Sequence, residues 1–358
     1  MPQTLNQTNL PALTGIRAIA AAMVVLCHYS DAIVQLLNLP PVAKPILTSG
    51  RMGVALFFIL SGFILTHTYG TQLTSWKAYR IYLAKRLARI YPLHLAVLIS
   101  VIVLFTLISC FGFTPDAFSI TPFLQALTLT QAWVYIGHYP WNSPAWSISA
   151  EWFAYLSLPF ILALLTRTSP LYIIGWVMLP LLVLTLLMQS PLAQGDNIHI
   201  FQTALVYVES CFISGCALYI LWQRQPTFKN PVAITNIGAF GLIFGILMVG
   251  TLGLSIWWLV IPMPALLIGL AYGQGFLARL LSTRTMVLWG EASYAVYLTH
   301  IPLQMILLKV LPYQPWLTQP WYIRPLPLFA YFAISLLVGY LAHRLIENPA
   351  RTWLLKRL

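Results

Sequence analysis

Arg17 and His28 stand eleven residues apart in a run otherwise dominated by Ala, Val, Leu and Ile. At 100° per residue, that separation turns through about 1100°, roughly 20° past three full turns. On a helix both side chains face one way, about 16 Å apart along the axis. An ionisable group in an apolar helix costs roughly 2.5–3.5 kcal/mol by insertion scales, so a pair kept on one face reads as chemistry. Asp31, three residues beyond His28, falls beside it if the helix continues. The competing reading is a snorkelling arginine and a hydrogen-bonded core histidine.

Three further clusters carry chemistry-bearing side chains. Lys85, Arg86 and Arg89 precede Ile90-Tyr91-Pro92. Arg86 and Arg89 share a face at i, i+3, and two guanidinium forks hold phosphates bidentately, although a basic anchor at a membrane surface looks the same. Trp146-Ser147-Ile148-Ser149-Ala150-Glu151 is a polar entry into an apolar run, ending on a carboxylate with few bland explanations. Ser293, Tyr297 and His300 at i, i+4, i+7 form a polar stripe, suited to a substrate or to gluing helices together. Other polar positions read as structural. Phe57-Phe58-Ile59-Leu60-Ser61-Gly62-Phe63 suits close helix packing, and Arg344 to Pro349 reads as a local ion pair with a proline stop. His67, His94, His138 and His343 read as packing or interfacial residues, and four cysteines without metal spacing as core.

These residues need a scaffold, and the composition says which kind. Of 358 residues, 59% are apolar or aromatic and only 7% charged, against about 25% in a soluble protein. That excludes a water-soluble enzyme, a disordered chain and a disulfide-stapled module. The net charge of +12 comes from 19 basic and only 7 acidic residues, clustered between apolar runs, which argues for topology signals or an anionic ligand and against nucleic acid. Ten runs are long enough to cross a bilayer: 12–31, 50–69, 87–112, 145–166, 171–189, 200–222, 232–253, 256–278, 290–311 and 325–346. The polar-interrupted stretch 120–139 is expected to be loop. The first run carries Arg17 and His28 and is expected to stay as a span rather than be cleaved as a signal peptide. With the N-terminus inside, every Lys and Arg except Arg17, Lys44, Arg51, Lys309 and Arg324 falls on the inner side, fourteen of 19. The expected fold is therefore an all-α polytopic bundle of about ten helices, a single domain over 1–358 with both termini cytoplasmic.

Taken in order, the segments resemble the acyltransferase-3 family of bacterial membrane O-acyltransferases. The likeness rests on Arg17-x10-His28, Phe57 to Phe63, and Arg86-x-x-Arg89-Ile90-Tyr91-Pro92. It continues through Trp146-Ser147-Ile148-Ser149-x-Glu151, Ser293-Tyr294-x-x-Tyr297-Leu298-x-His300-x-Pro302 and Ile346-Glu347-x-Pro349. One departure stands in the middle helix. Where the family often has a basic residue and an acid before Phe-x-x-Gly, this chain has Val208 and Cys211 before Phe212-Ile213-Ser214-Gly215, with Glu209 out of step. The chain stops at Leu358, as expected of a stand-alone type without a periplasmic esterase-like domain.

The resemblance implies transfer of an acyl group, most often acetyl, from cytoplasmic acyl-coenzyme A to a carbohydrate hydroxyl in the bacterial inner membrane. Exopolysaccharide and lipopolysaccharide are acceptors of this kind. On this reading Arg86, Arg89 and Lys85 hold the donor phosphates, and the pantetheine arm passes Arg17. His28 is general base, oriented by Asp31 or Glu151. Ser293, Tyr297 and His300 bind substrate, Tyr297 and His300 at the thioester oxyanion or at the acceptor. The expected partners are acyl-coenzyme A as donor substrate, a carbohydrate or glycolipid acceptor and the bilayer. No bound cofactor, metal or nucleic acid is expected, and a homo-oligomer stays open. A transporter or flippase of a lipid-linked sugar is the alternative; such proteins more often show inverted repeats and broken helices, and the sequence by itself gives sign of neither.

Overall fold

The computed structural model describes residues 10–110, 120–134, 141–190, 200–224 and 229–358. Fifteen α-helices occur there and no β-strand is found among the described residues. In chain order they are α1 (Pro11–His28), α2 (Ser30–Leu36), α3 (Ala43–Thr48), α4 (Gly53–Tyr69), α5 (Trp76–Cys110) and α6 (Ile120–Thr128). Then come α7 (Ala145–Thr166), α8 (Pro170–Gln189), α9 (Ile200–Arg224), α10 (Pro231–Leu252) and α11 (Met263–Ala271). The last are α12 (Gly275–Leu281), α13 (Arg284–Val310), α14 (Leu326–Ala342) and α15 (Asn348–Leu355). Eight helical stretches are long and apolar enough to cross a membrane by themselves, and a ninth is the bent pair formed by α11 and α12 with the turn before them. The protein is an all-α, multi-pass membrane bundle. His138, Tyr135, Tyr139, Asp196 and His199 lie outside the described residues.

Three elements differ from the expected spans. The run 256–278 is broken, its halves meeting at 80°. Gly273 and Gly275 take φ of +66° and +86°, a left-handed backbone that glycine alone enters cheaply, so the helix cannot run through. Helix α5 begins at Trp76 rather than near 87, because Lys77, Arg80, Lys85 and Arg86 are good helix formers that a hydropathy window cannot see; Ser75 Oγ accepts from Ala78 N at its start, 3.2 Å away. The 27 residues of α13 extend about 40 Å, yet its apolar content falls short of an independent span. It packs against α1 and α14, and its polar stripe Ser293, Tyr297 and His300 is buried. Within the stretch expected to be loop, residues Ile120–Thr128 form a helix, α6, whose nine residues are too few to cross a bilayer.

Backbone contact sets the helix spacing around the site. A Cβ on Gly62 of α4 would strike the Phe212 carbonyl of α9, and one on Gly215 of α9 would strike the Ile59 carbonyl of α4. These two reciprocal glycines bring α4 and α9 into direct contact, which is the packing role read for the Phe57–Phe63 segment. On the other side, Gly290 of α13 lies against the Thr14 carbonyl of α1. Helix α1 is thereby held between α4 and α13.

Candidate active site

Two cavities lie end to end inside this frame. The first, about 200 Å³, is lined by Arg17 from α1, Ser61 from α4, Arg86 and Arg89 from α5, Ser147, Glu151 and Tyr155 from α7, and Ser293, Tyr294 and Tyr297 from α13. The second, about 390 Å³, is lined by Cys27 and His28, Arg51, Ser143, Trp146, Tyr207, Tyr297 and His300. Val54 and Tyr297 line both cavities and form the wall they share. The eleven-residue spacing on α1 puts Arg17 in one cavity and His28 in the other. The stripe on α13 does the same, with Ser293 in the first, His300 in the second and Tyr297 between them.

In the first cavity Glu151 accepts from Ser61 Oγ at 3.0 Å. Among charged neighbours, Glu151 acts most strongly on Arg17. Glu151 lines the cavity that holds Arg17 and not the one that holds His28. Arg86 donates to Tyr69 Oη at 3.0 Å, with its guanidinium over the same ring. Arg89 makes an ion pair with Glu347 and lies over the Tyr294 ring, 5.7 Å from its centroid. Tyr294 Oη donates to the Ile90 carbonyl at 2.6 Å, tying α13 to α5. Ser293 donates back to the Gly290 carbonyl at 2.7 Å. Lys85 is half-buried and is not among the residues lining this cavity.

In the second cavity the rings of His28 and His300 are 4.9 Å apart and tilted by 50°. His300 Nδ1 bonds the Tyr297 carbonyl. Tyr297 Oη donates to the Pro144 carbonyl at 3.3 Å, and Asn142 Nδ2 to the Leu298 carbonyl at 3.2 Å. The polar entry into α7 is thereby fastened to α13. Ser149 of that entry bonds the Leu129 carbonyl and the Ala132 amide at 2.8 and 3.0 Å and so has a structural task.

Asp31 does not join this site. Helix α1 ends at His28, because Tyr29 leaves helical geometry with φ −95° and ψ 10°, and the i, i+3 register that would bring Asp31 to the imidazole is lost. Asp31 pairs instead with Lys44 at 2.7 Å, its side chain 62% exposed. Neither carboxylate proposed to orient His28 reaches it.

The family model described as an acyltransferase domain matches residues 10–344. The chain belongs to this acyltransferase family. Among its relatives, acyltransferase MdmB of Streptomyces mycarofaciens is 25% identical, the alignment covering 98% of this chain and 93% of MdmB. O-acetyltransferase OatA of Staphylococcus aureus is 26% identical over 96% of this chain. The chain spans only 57% of the length of OatA. No solved structure matches the chain significantly.

Residues to which the sequence gave no role at the site also stand in or beside the cavity walls. Glu347 was read as a local partner of Arg344, but Arg344 donates to Tyr340 Oη at 3.1 Å. A π-helical turn, His343–Glu347, carries Glu347 inward, where it is 1% exposed and engages both Arg89 and His343. The sequence signals were the rarity of acids and the Ile346-Glu347-x-Pro349 motif, neither of which names its partner. Arg351 on α15 stands close to Arg86 and Tyr69 in the same electrostatic neighbourhood. Arg51 lines the His28 cavity, and its one mark in the sequence was to fall on the side where bases are scarce.

Proposed function

We propose that the acyltransferase moves an acyl group, acetyl in the first instance, from acyl-coenzyme A to a carbohydrate hydroxyl, across the junction of the two cavities. One observation carries this reading: a single helix face presents a cation to one cavity and a histidine to the other, and the two spaces share the wall formed by Tyr297 and Val54. The name of OatA supports an acetyl group and an oxygen acceptor. The first cavity is then the cytoplasmic donor side of a bacterial inner-membrane protein, and the second is the outer acceptor side.

On this reading Arg86, with Arg351 nearby, meets the donor phosphates, while Arg89 is committed to Glu347 and shapes the mouth rather than binding anions. The thin pantetheine arm runs past Arg17, whose charge Glu151 balances, and brings the thioester to Tyr297. At His28 the imidazole takes the proton of the acceptor hydroxyl as its oxygen attacks the thioester carbonyl carbon. The C–O bond forms, the C–S bond breaks, and coenzyme A leaves as the thiolate. Tyr297 stands where the oxyanion develops and donates to it by exchanging its bond from the Pro144 carbonyl. The test is transfer of label from radiolabelled acetyl-coenzyme A in native membranes. Label should enter polysaccharide with the wild type and not with His28→Ala; equal labelling would refute His28 as the base.

A further inference from the structure

Arg51 sits on the 3-10 turn Ser49–Met52 and faces the His28 cavity together with His28, His300, Trp146 and Tyr207. Its Nε donates to the Thr48 carbonyl at 3.1 Å, which anchors the guanidinium and leaves its Nη donors without an ion-pair partner among the described residues. No carboxylate lines this cavity among the described residues. The described acids are engaged or placed elsewhere: Asp31 with Lys44, Glu151 with Ser61, Glu209 with Ser157, and Glu347 with Arg89 and His343. Glu291 acts on Arg17 and Arg351 at the other end of α13. The remaining bases on the sparse side do not line this cavity; Lys44 has Asp31, and Arg324 caps the Gln319 carbonyl.

His300 supplies the second observation. A carbonyl can only accept, so the bond to the Tyr297 carbonyl places a proton on Nδ1, and in the neutral ring Nε2 is then a hydrogen-bond acceptor. The residue is 1% exposed and Nε2 has no partner. A buried acceptor of this kind is costly unless a ligand satisfies it. The cavity thus offers an acceptor nitrogen, which suits a hydroxyl, beside an uncompensated guanidinium, which suits an oxyanion. The Trp146 and Tyr207 rings, stacked 6.0 Å apart, add aromatic surface against which a sugar ring can pack. At about 390 Å³ the space is within the usual range of small-ligand pockets, roughly 300–1,000 Å³.

We propose that the His28 cavity takes an anionic sugar, with its carboxylate or phosphate group held by Arg51 and one hydroxyl donating to His300 Nε2 while a neighbouring hydroxyl faces His28. This names the acceptor class and rests on the acyl-transfer reading of the same cavity. It is tested on the full chain in phosphatidylcholine nanodiscs by calorimetric titration with glucuronate, glucose 6-phosphate and glucose. Both anionic sugars should bind at least roughly tenfold more tightly than glucose, as a charged hydrogen bond implies. Arg51→Gln should erase that preference, Arg51→Lys should keep part of it, and added salt should weaken it in the wild type. Thermal melting of both variants should match the wild type, since Arg51 is exposed. Equal binding of all three sugars, no binding of either anionic sugar, or a preference that survives Arg51→Gln overturns the proposal. The titration needs no turnover, so the two readings fail separately. Arg51-dependent sugar binding in a protein that transfers no acyl group would count against the enzymatic reading alone.

Discussion

A histidine that takes a proton needs its lone pair held toward the hydroxyl, and no carboxylate among the described residues pairs with His28. The ring of His300 stands 4.9 Å from His28, and Gln304 Nε2 bonds the His28 carbonyl, so packing and backbone anchoring fix the direction instead. His28→Ala is expected to lower transfer by roughly 10²–10⁴ while acetyl-coenzyme A binding, measured separately, changes by no more than about twofold. Asp31→Asn should leave transfer within about twofold, because an exposed pair such as Asp31–Lys44 is worth only about 0–1 kcal/mol. A loss approaching that of His28→Ala would put Asp31 back beside the imidazole. The two arginines of the Arg86-x-x-Arg89 pair should separate cleanly. Arg86→Ala loses the bond to Tyr69 and should cost only about 1 kcal/mol of stability, while it binds acetyl-coenzyme A at least roughly tenfold more weakly. Arg89→Ala leaves Glu347 buried without its cation and should cost about 3–5 kcal/mol of stability. Joint replacement of Arg89 by Met and Glu347 by Leu should recover much of that loss. Identical melting of Arg86→Ala and Arg89→Ala would contradict the division of labour. The Arg17–His28 spacing and the α13 stripe were legible in the sequence because both partners sit on one uninterrupted helix. The Arg89–Glu347 pair was not legible, because it joins two helices whose approach no local pattern encodes. Asp31 was misplaced because a helix break at Tyr29 leaves no glycine or proline to announce it.

Elements recognised by hydropathy are those whose neighbours are lipid on at least one face. Helix α10 is of this kind, apolar almost throughout with many exposed side chains. Helix α13 is the opposite: the stripe Ser293, Tyr297 and His300 lowers its apolar content because that face borders cavities and other helices. The first turns of α5 were hidden for a related reason, since basic helix formers look like loop to a hydropathy window. The α4–α9 seam puts a number on how tightly the frame is held. Gly62→Ala or Gly215→Ala would drive a methyl group into a carbonyl of the facing helix, and relief requires the helices to separate. Either variant should lower the yield of monodisperse protein and widen the gap that Tyr207 and Phe58 now close edge to face at 6.0 Å. Gly175→Ala on α8 is the control, because a Cβ there meets nothing within 4 Å. It should be neutral or stabilise by up to about 1 kcal/mol from helix propensity alone. Equal tolerance of all three would mean that α4 and α9 do not meet backbone to backbone.

At the scale of the whole molecule, the two cavities make sense only if they open to different sides. With acyl-coenzyme A, a cytoplasmic polyanion, as the proposed donor, the cavity containing Arg17 and Arg86 faces inward, and the distribution of Lys and Arg points the same way. That orientation puts the segment after α5's predecessor, at Thr74, inside, and the turn after α13, at Gln319, outside; both residues are exposed. Single cysteines at these positions report the orientation directly. Cys27 must first become serine, because it lines the His28 cavity and can take up reagent itself. With intact spheroplasts and a membrane-impermeant maleimide, Gln319→Cys should label at once, and Thr74→Cys only after the membrane is opened. The reverse pattern would turn the Arg17 cavity toward the outside, where no coenzyme A thioester is available, and the donor assignment of Arg86 would fall with it. Arg51 would then face the cytoplasm, and its anion would have to come from there. The same two cysteines therefore test the membrane orientation, the direction of acyl transfer and the side from which the acceptor arrives.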